Sequence, residues 1–328
     1  MTSSAPAVWV ISDGRRGIEN QALGLAEALH RQTPIRMTRK IIGSDPSFAA
    51  LPPRLQYIRK SKPVKYGLAA PFPDIAIGCG RQAIAPLRSL KAASPSTYIV
   101  YVQDPRGSYG LFDLIIAPQH DALSRPNAVA MIGAPNRLTD EKLKAAQAVF
   151  SDKLAAYQTP RAAMLIGGPS KHQSIDAAAR AAHLTTAKEV LAANHSLFIT
   201  LSRRSDTASR AMWSEFAAAH KDRVWFYDEE ADDTGANPYF AFLAASDVIF
   251  VTQDSTNMLT EAYYTGAPVY RLPTTGKTGK FDALYAALDG LRKQPSQSET
   301  LSNSGQTYAP LRETDALAKI LWDKHTKS

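Results

Sequence analysis

Short apolar runs alternate with longer amphipathic segments along most of this chain. The runs are rich in β-branched and aromatic residues and indicate buried strands at residues 8–11, 74–78, 98–102, 114–117, 162–166, 196–201, 224–227 and 248–251. Between them, apolar side chains recur at helical spacing at residues 19–30, 83–90, 139–157, 175–194 and 208–220. Strands that alternate with helices in this way predict parallel, doubly wound α/β sheets.

The alternating strands and helices form two successive series along the chain. A proline-containing segment at residues 158–161 separates the two series, and a length of 328 residues fits two domains of ordinary size. We therefore predict two Rossmann-like, doubly wound domains that face a cleft, one at residues 1–158 and one at residues 159–328. A last helix is predicted at residues 313–324.

A strand, a polar turn, a helix and a second strand follow one another within residues 248–272. The start of such a helix exposes free backbone amides and a positive dipole end, which suits a phosphate. We therefore predict contacts to a diphosphate from Asp254, Ser255, Thr256 and Asn257. Glu261, further along the helix, would accept hydrogen bonds from a ribose diol. The alternative is an ordinary N-cap, with Glu261 in solvent.

Two earlier strands of the same half also end in groups that suit an anion. These groups are Gly167, Gly168, Ser170 and Lys171 after the first strand, and Ser202, Arg203 and Arg204 after the second. Since the carboxyl ends of parallel strands meet at one edge, we expect them to converge on the same diphosphate, which arginine binds in a bidentate manner. The alternatives are a tight Gly-Gly turn and a surface ion pair of the arginines with Asp206.

The first half places three carboxylates near predicted strand ends, namely Asp13, Glu19 and Asp104. Each is a candidate general base that would activate an acceptor hydroxyl, and Gly14 is predicted to line the ligand site beside them. Each carboxylate also has a structural alternative. Asp13 would cap a turn, and Asp104 would pair with Arg106. Glu19 would be a first-turn helix residue that the helix dipole stabilises.

The motifs of several other chemistries are missing. The first strand–helix loop departs from the GxGxxG dinucleotide fingerprint, and the sequence contains no Walker A motif, no HExxH motif and no GxSxG elbow. Cys79 is the one cysteine, so a cysteine-rich metal site is excluded. We therefore expect no metal site and no cofactor.

The net charge of +8 lies in the first half. Residues 1–158 carry 20 lysines and arginines against 11 acidic residues, a net charge of +9, whereas residues 159–328 carry a net charge of −1. Many of these cations lie within residues 31–65, where Asp45 is the one acidic residue: Arg31, Arg36, Arg39, Lys40, Arg54, Arg59, Lys60, Lys62 and Lys65. With its interspersed apolar residues, this segment would suit an anionic membrane surface or an acidic substrate, and the alternative is a solvated basic face. We expect no nucleic-acid partner, because no recognised module is present.

Four motifs together resemble a known family. They are SDGRRGIENQALGLAEAL at residues 12–29, GGPSK at 167–171, SRR at 202–204 and VTQDSTNMLTEAYYTGAPVY at 251–270. Over residues 8–272 the chain resembles the mitochondrial-fission ELM-type family, which has bacterial members and resembles GT-B glycosyltransferases. The usual family loop has the form DGxPGHENQ, whereas this chain carries Arg16 and Ile18 in place of its proline and histidine.

The resemblance implies a fold and an activity. In GT-B proteins the C-terminal domain binds a nucleotide-sugar donor, the N-terminal domain binds the acceptor, and the final helix often packs back on the first domain. Metal is generally not needed, because the helix dipole and basic side chains stabilise the leaving diphosphate. The implied function is a metal-independent glycosyltransferase that moves a sugar from a nucleotide-diphosphate donor, with UDP as the expected nucleotide, to an envelope-type saccharide or lipid.

Two other functions stay open at this point. One is a non-catalytic GT-B-like binding protein or membrane-associated scaffold, which the departures at Arg16 and Ile18 favour. The other is a nucleotide-sugar epimerase. The sequence shows no targeting segment and no apolar run of the roughly 20 residues that span a membrane. We therefore expect a cytoplasmic protein that associates peripherally with the inner membrane.

Overall fold

The chain folds into two compact units in the structure, which is a computed structural model. It describes residues 5–43, 62–170, 172–231, 235–291 and 308–328. The first unit comprises Met1–Arg137 together with Arg312–Ser328, and the second comprises Leu138–Leu311. The sequence pattern placed the boundary between residues 158 and 159, so residues 138–158 lie in the second unit rather than the first.

The first unit is built on a parallel sheet. Its strands are β1 (Ala7–Ser12), β2 (Arg36–Ile41), β3 (Ile75–Cys79), β4 (Tyr98–Val102), β5 (Leu114–Pro118) and β6 (Ala128–Met131). Helix α1 (Arg16–Gln32) connects β1 to β2, and α2 (Ile84–Ala93) connects β3 to β4. The strand order is β2-β1-β3-β4-β5-β6, and every neighbouring pair is parallel.

Helices cover both faces of this sheet. Because successive side chains of a strand point to opposite faces, β1 contributes Val8 and Val10 to one apolar cluster and Trp9 and Ile11 to another. Helix α1 packs against the first cluster, and helix α2 packs against the second. Burial on both faces is what the continuous apolar runs of the sequence predict for parallel strands.

The second unit repeats the plan. Its helices are α3 (Asp140–Val149), α4 (Ser151–Ala155), α5 (Ala177–Ala192), α6 (Thr207–Ala219), α7 (Tyr239–Ala245), α8 (Thr256–Tyr264) and α9 (Phe281–Gly290). Its strands are β7 (Arg161–Ile166), β8 (Gln173–Ser174), β9 (Ser196–Leu201), β10 (Val224–Tyr227), β11 (Val248–Thr252), β12 (Val269–Leu272) and β13 (Thr275–Gly276). The parallel sheet has the order β10-β9-β7-β11-β12, while β8 and β13 form a separate antiparallel ribbon. The predicted α/β class with parallel sheets is confirmed.

The last helix, α10 (Glu313–His325), belongs to the first unit. Its buried side chains Leu317 and Leu321 join the apolar cluster beneath α1. Two polar contacts fix its start: Arg31 pairs with Asp315 at 2.5 Å, and the Gln32 amide donates to the Asp315 carbonyl at 2.7 Å. The first unit is therefore assembled from both ends of the chain.

Some local predictions need correction. Helix α1 begins at Arg16, so Glu19 lies within its first turn, and the single helix predicted at residues 139–157 is two helices that meet at Phe150. The polar sequence of residues 294–306 predicts a loop or disordered segment, and these residues lie outside the described ranges. In the described part of the chain, no helix is both long and apolar enough to cross a bilayer.

Candidate functional site

Three strand ends of the second unit meet at the carboxylate of Asp254. This side chain follows β11 and is only 1% exposed. Its Oδ2 atom accepts a hydrogen bond from the Gly168 amide at 3.1 Å, in the loop after β7. The same oxygen accepts from Nη2 of Arg204, after β9, at 3.0 Å. The sequence prediction that these three loops converge thus has a physical basis in the buried Asp254 carboxylate, which pairs with the half-exposed Arg204 side chain.

The polar groups of Gly167 and Gly168 are already used within this junction. The Gly167 amide donates to the Thr252 hydroxyl at 2.7 Å, and the Gly167 carbonyl accepts from the Ser205 hydroxyl at 2.6 Å. Nη1 of Arg204 donates to the Gly168 carbonyl at 2.9 Å. Gly167, Gly168 and Arg204 therefore hold the three loops together, and the two glycine amides already donate to protein acceptors.

Glycine is required at both positions because the loops approach so closely. A Cβ atom on Gly167 would overlap the carboxylate of Asp254. On Gly168 it would overlap the backbone carbonyl of Arg204 and lie 2.7 Å from the Ser205 amide nitrogen. The Gly-Gly pair therefore allows the loops to pack closely, and it also forms a turn.

The groups that remain for an anion lie at the start of α8 and on the loop after β9. The Ser255 hydroxyl caps α8 by accepting from the Met258 amide at 3.4 Å. Among the described residues, neither the Thr256 amide nor the Arg203 guanidinium has a hydrogen-bond or ion-pair partner. A free first-turn amide at the positive end of a helix suits a phosphate, and the exposed Arg203 guanidinium on the loop after β9 is a second group that suits one.

The other predicted diphosphate ligands have different positions. The Ser202 hydroxyl accepts from the Arg204 amide at 3.1 Å, and the Ser170 hydroxyl accepts from the Gln173 amide at 3.1 Å. Both hydroxyls therefore stabilise turns. Asn257 lies in the first turn of α8, and Lys171 lies outside the described residues.

Glu261 is buried rather than solvated. It lies less than two turns after the start of α8 and is 8% exposed. The Tyr239 hydroxyl, at the start of α7, donates to its Oε2 atom at 2.6 Å, and this is the one hydrogen bond to the carboxylate among the described residues. Burial raises the pKa of Glu261 to about 7, although the tyrosine hydrogen bond acts in the opposite direction. A carboxylate with so few donors has capacity to accept more.

Tyr239 was missed by the sequence analysis. The sequence predicts a short helix at residues 238–245 and gives Tyr239 no role in it, because 22 positions separate Tyr239 from Glu261 and no periodic pattern connects them. Thr252 was missed in the same way: the sequence pattern assigns it to the polar turn, whereas it is the last residue of β11 and its hydroxyl accepts from the Gly167 amide.

The three candidate bases of the first unit have unequal surroundings. Asp13 accepts from the Arg15 amide at 3.1 Å and forms an ion pair with the Arg15 side chain at 2.7 Å. Glu19 is buried and paired with Arg39, whose Nη2 atom lies 2.8 Å from its Oε2 atom. Asp104 accepts from the Arg106 amide at 2.8 Å, and among the described residues it has no ion-pair partner.

The loops at these strand ends are fixed by a buried glutamine. Gln21 of α1 accepts from the Cys79 thiol at 3.4 Å and from the Gln103 side chain at 3.2 Å, which ties α1 to the ends of β3 and β4. Gly14 and Gly80 both have positive φ angles. Ile18, which replaces the family histidine, lies 2.8 Å from the position of a Cβ atom on Gly80 and thus packs against that turn.

The basic segment at residues 31–65 is largely engaged where the structure describes it. Arg31 pairs with Asp315 and Arg39 with Glu19, while the Lys40 ammonium lies 4.6 Å from the centre of the Trp9 ring. Arg54, Arg59 and Lys60 lie outside the described residues. Within the described ranges, no group of three or more histidine, cysteine or acidic side chains could hold a metal ion.

Two units, each with a parallel sheet and polar loops after its strands, define a GT-B-like protein. The UDP-GlcNAc 2-epimerase from Neisseria meningitidis, solved with UDP-GlcNAc, aligns with a TM-score of 0.52 and 12% identity over 98% of this chain and 100% of that one. UGT89C1 from Arabidopsis thaliana, solved with UDP-L-rhamnose, aligns with a TM-score of 0.51 and 13% identity over 99% and 97% of the two chains. At such identities these similarities show the fold.

The family is shown by sequence. The model of the mitochondrial fission ELM1 family matches residues 16–325, and the chain belongs to that family. It is 28% identical over 269 residues to the mitochondrial fission protein ELM1 of Arabidopsis thaliana. That alignment covers 74% of this chain and 61% of the plant protein, less than two thirds of its length. The resemblance drawn from the four motifs is therefore confirmed.

Proposed function

We propose that the second unit binds a nucleoside-diphosphate sugar, with UDP as the preferred nucleotide. Arg203, Ser255 and Thr256 would contact the diphosphate, and Glu261 would accept hydrogen bonds from the ribose hydroxyls. The observation that carries the proposal is the burial of Glu261 on helix α8. Among the described residues its carboxylate has one hydrogen-bond donor, and the Thr256 amide at the start of the helix has no acceptor. Ribose hydroxyls would supply the donors that this buried group lacks.

The proposed reaction is transfer of the sugar to a saccharide or lipid acceptor of the cell envelope, without a metal ion. The leaving diphosphate would be stabilised by Arg203 and the start of α8. Asp104 is the proposed general base, because in the described part of the chain it forms no ion pair, whereas Asp13 and Glu19 are paired with arginines. An ion-paired carboxylate holds its charge in a fixed contact and is a poorer acceptor of a substrate proton.

Calorimetric titration with UDP, GDP, ADP and CMP tests the binding step. We expect UDP to bind and the Arg203→Ala variant to bind it roughly tenfold more weakly, because a charge-assisted contact to phosphate is lost. Lys188→Ala is the matched control, since it removes an exposed cation from helix α5 of the same unit. Absence of binding to all four nucleotides, or equal losses in the two variants, would contradict the proposed donor site.

A second candidate function is nucleotide-sugar binding without transfer. It is favoured by the pairing of Asp13 with Arg15 and of Glu19 with Arg39, and by Ile18 in place of the family histidine. Incubation of the protein with UDP-sugars and envelope extract, followed by mass spectrometry, distinguishes the functions. Transfer that is lost in Asp104→Asn supports the enzyme, whereas unchanged donor supports the binding protein. A donor sugar that changes configuration without acceptor indicates an epimerase.

Peripheral membrane association is the proposed location, on the cytoplasmic face. Its support in the first unit is the edge strand β2, where Met37 and Ile41 are 40% and 50% exposed beside Arg36 and Lys40. Apolar side chains flanked by cations suit an anionic lipid surface. We expect flotation with phosphatidylserine vesicles at low salt and its loss in a double variant, Met37→Ser with Ile41→Ser. Val149→Ser, an exposed apolar residue of α3 that is not flanked by basic residues, is the control, and equal flotation of all three proteins would exclude β2 as the contact.

A further inference from the structure

Tyr239 occupies a position from which it can orient the candidate ribose-binding carboxylate. Its hydroxyl donates to Oε2 of Glu261 at 2.6 Å, and the contact connects α7 to α8. The Tyr239 amide is itself held by Oδ1 of Asn237 at 2.9 Å, which fixes the first residue of α7. A phenol on a rigid ring can hold one carboxylate oxygen in a single direction.

The geometry points to Tyr239 as a positioning residue that makes the second unit selective for ribonucleotides, an inference that rests on the proposed nucleotide binding. With Oε2 engaged by the phenol, Oε1 is the oxygen left to accept from a ribose hydroxyl. A nucleotide that lacks the 2′-hydroxyl would not offer this oxygen a donor. The class of ligand is therefore a nucleoside diphosphate with an intact ribose diol.

The phenol also controls when the carboxylate is ionised. Its hydrogen bond lowers the pKa of Glu261, against the larger effect of burial. In the described residues, Tyr239 is the one titratable side chain that acts on this carboxylate, and Glu261 in turn raises the pKa of Tyr239. Loss of the hydroxyl would therefore favour the protonated acid, which is a poorer acceptor for the ribose.

The test compares the wild type with Tyr239→Phe in two measurements. In the first, thermal unfolding without nucleotide is followed from pH 5 to pH 9, and the transition that reports Glu261 ionisation is expected to move up by about one pH unit in the variant. In the second, UDP and 2′-deoxy-UDP are titrated at pH 7 and pH 9. We expect the variant to bind UDP roughly tenfold more weakly at pH 7, to recover part of the loss at pH 9 and to lose the preference for UDP over 2′-deoxy-UDP.

The control variant is Tyr308→Phe. It removes another buried hydroxyl that bonds the same helix, at the Tyr263 carbonyl 3.3 Å away, without contact to Glu261. A purely structural role of Tyr239 predicts the same loss at both pH values and an unchanged preference between the two nucleotides, and that outcome would overturn the inference. If the wild type binds no nucleotide, the proposed function fails. An unchanged unfolding transition in Tyr239→Phe would then refute the coupling to Glu261 by itself.

Discussion

Glu261→Gln is expected to stabilise the protein at pH 8 and to leave its stability at pH 4.5 nearly unchanged. The pKa of Glu261 is raised by burial to about 7, whereas a glutamate in an unfolded chain has a pKa of roughly 4.3. The folded protein thus retains a proton that the unfolded chain releases between these values. Its stability falls as the pH rises through this window, by roughly 4 kcal/mol in total. Glutamine keeps the acceptor for Tyr239 and removes the charge.

Unfolding midpoints at pH 4.5, 6 and 8 measure this effect. The midpoint of Glu261→Gln should exceed that of the wild type increasingly from pH 4.5 to pH 8. Glu215→Gln is the control, because Glu215 is an exposed residue of α6 and should give the same small difference at every pH. A constant difference for Glu261→Gln would show that the carboxylate is already ionised at pH 4.5. The same variant should bind UDP at least tenfold more weakly at pH 8, so that stability and proposed function move in opposite directions.

Gly168→Ala is expected to destabilise the second unit by about 2 to 3 kcal/mol and to abolish measurable nucleotide binding. The added methyl group would overlap the backbone carbonyl of Arg204, and backbone atoms cannot move aside as the end of a side chain can. Displacement of that loop would break the contacts of Arg204 with Asp254 and with the Gly168 carbonyl. It would also displace the neighbouring Arg203, a proposed contact of the diphosphate.

Urea denaturation and UDP titration of the same preparations measure both effects. Gly290→Ala is the matched control. Gly290 ends α9, and outside its own helix no atom of the described residues lies within 4 Å of the position that the added methyl group would take. Alanine is also the better helix former. This control variant should be neutral or slightly stabilising. If Gly168→Ala binds UDP like the wild type, the junction at Asp254 does not support the site.

The periodic pattern predicted the fold well because parallel strands buried on both faces leave continuous apolar runs. Helix starts were predictable where a capping side chain marks them: Thr139, Asp176, Asp206 and Ser255 each accept a hydrogen bond from the amide three residues later. Helix α1 has no such signal, since Arg15 at its N-cap makes no side-chain cap, and its start was placed too late. The two-residue strands of the β8–β13 ribbon are too short to show a period.

The candidate site could be located from the sequence, but the hydrogen-bond partners of its polar groups could not be predicted from it. Topology alone places the ends of β7, β9 and β11 at one edge, so the nearness of Gly168, Arg204 and Asp254 follows from the fold class. That the Gly167 amide is taken by Thr252 depends on a contact across 85 positions. The burial of Glu261 was missed for a similar reason: its partner Tyr239 lies on a separate helix.

The return of α10 to the first unit has a practical consequence for dissecting this protein. Residues 138–311 form one continuous insert and can be excised as a single gene segment. The remaining unit is discontinuous, and an N-terminal fragment ending at Arg137 would expose the apolar surface that Leu317 and Leu321 cover. A workable version of that unit joins Arg137 to Arg312 through a short flexible linker, or places α10 ahead of β1 by circular permutation.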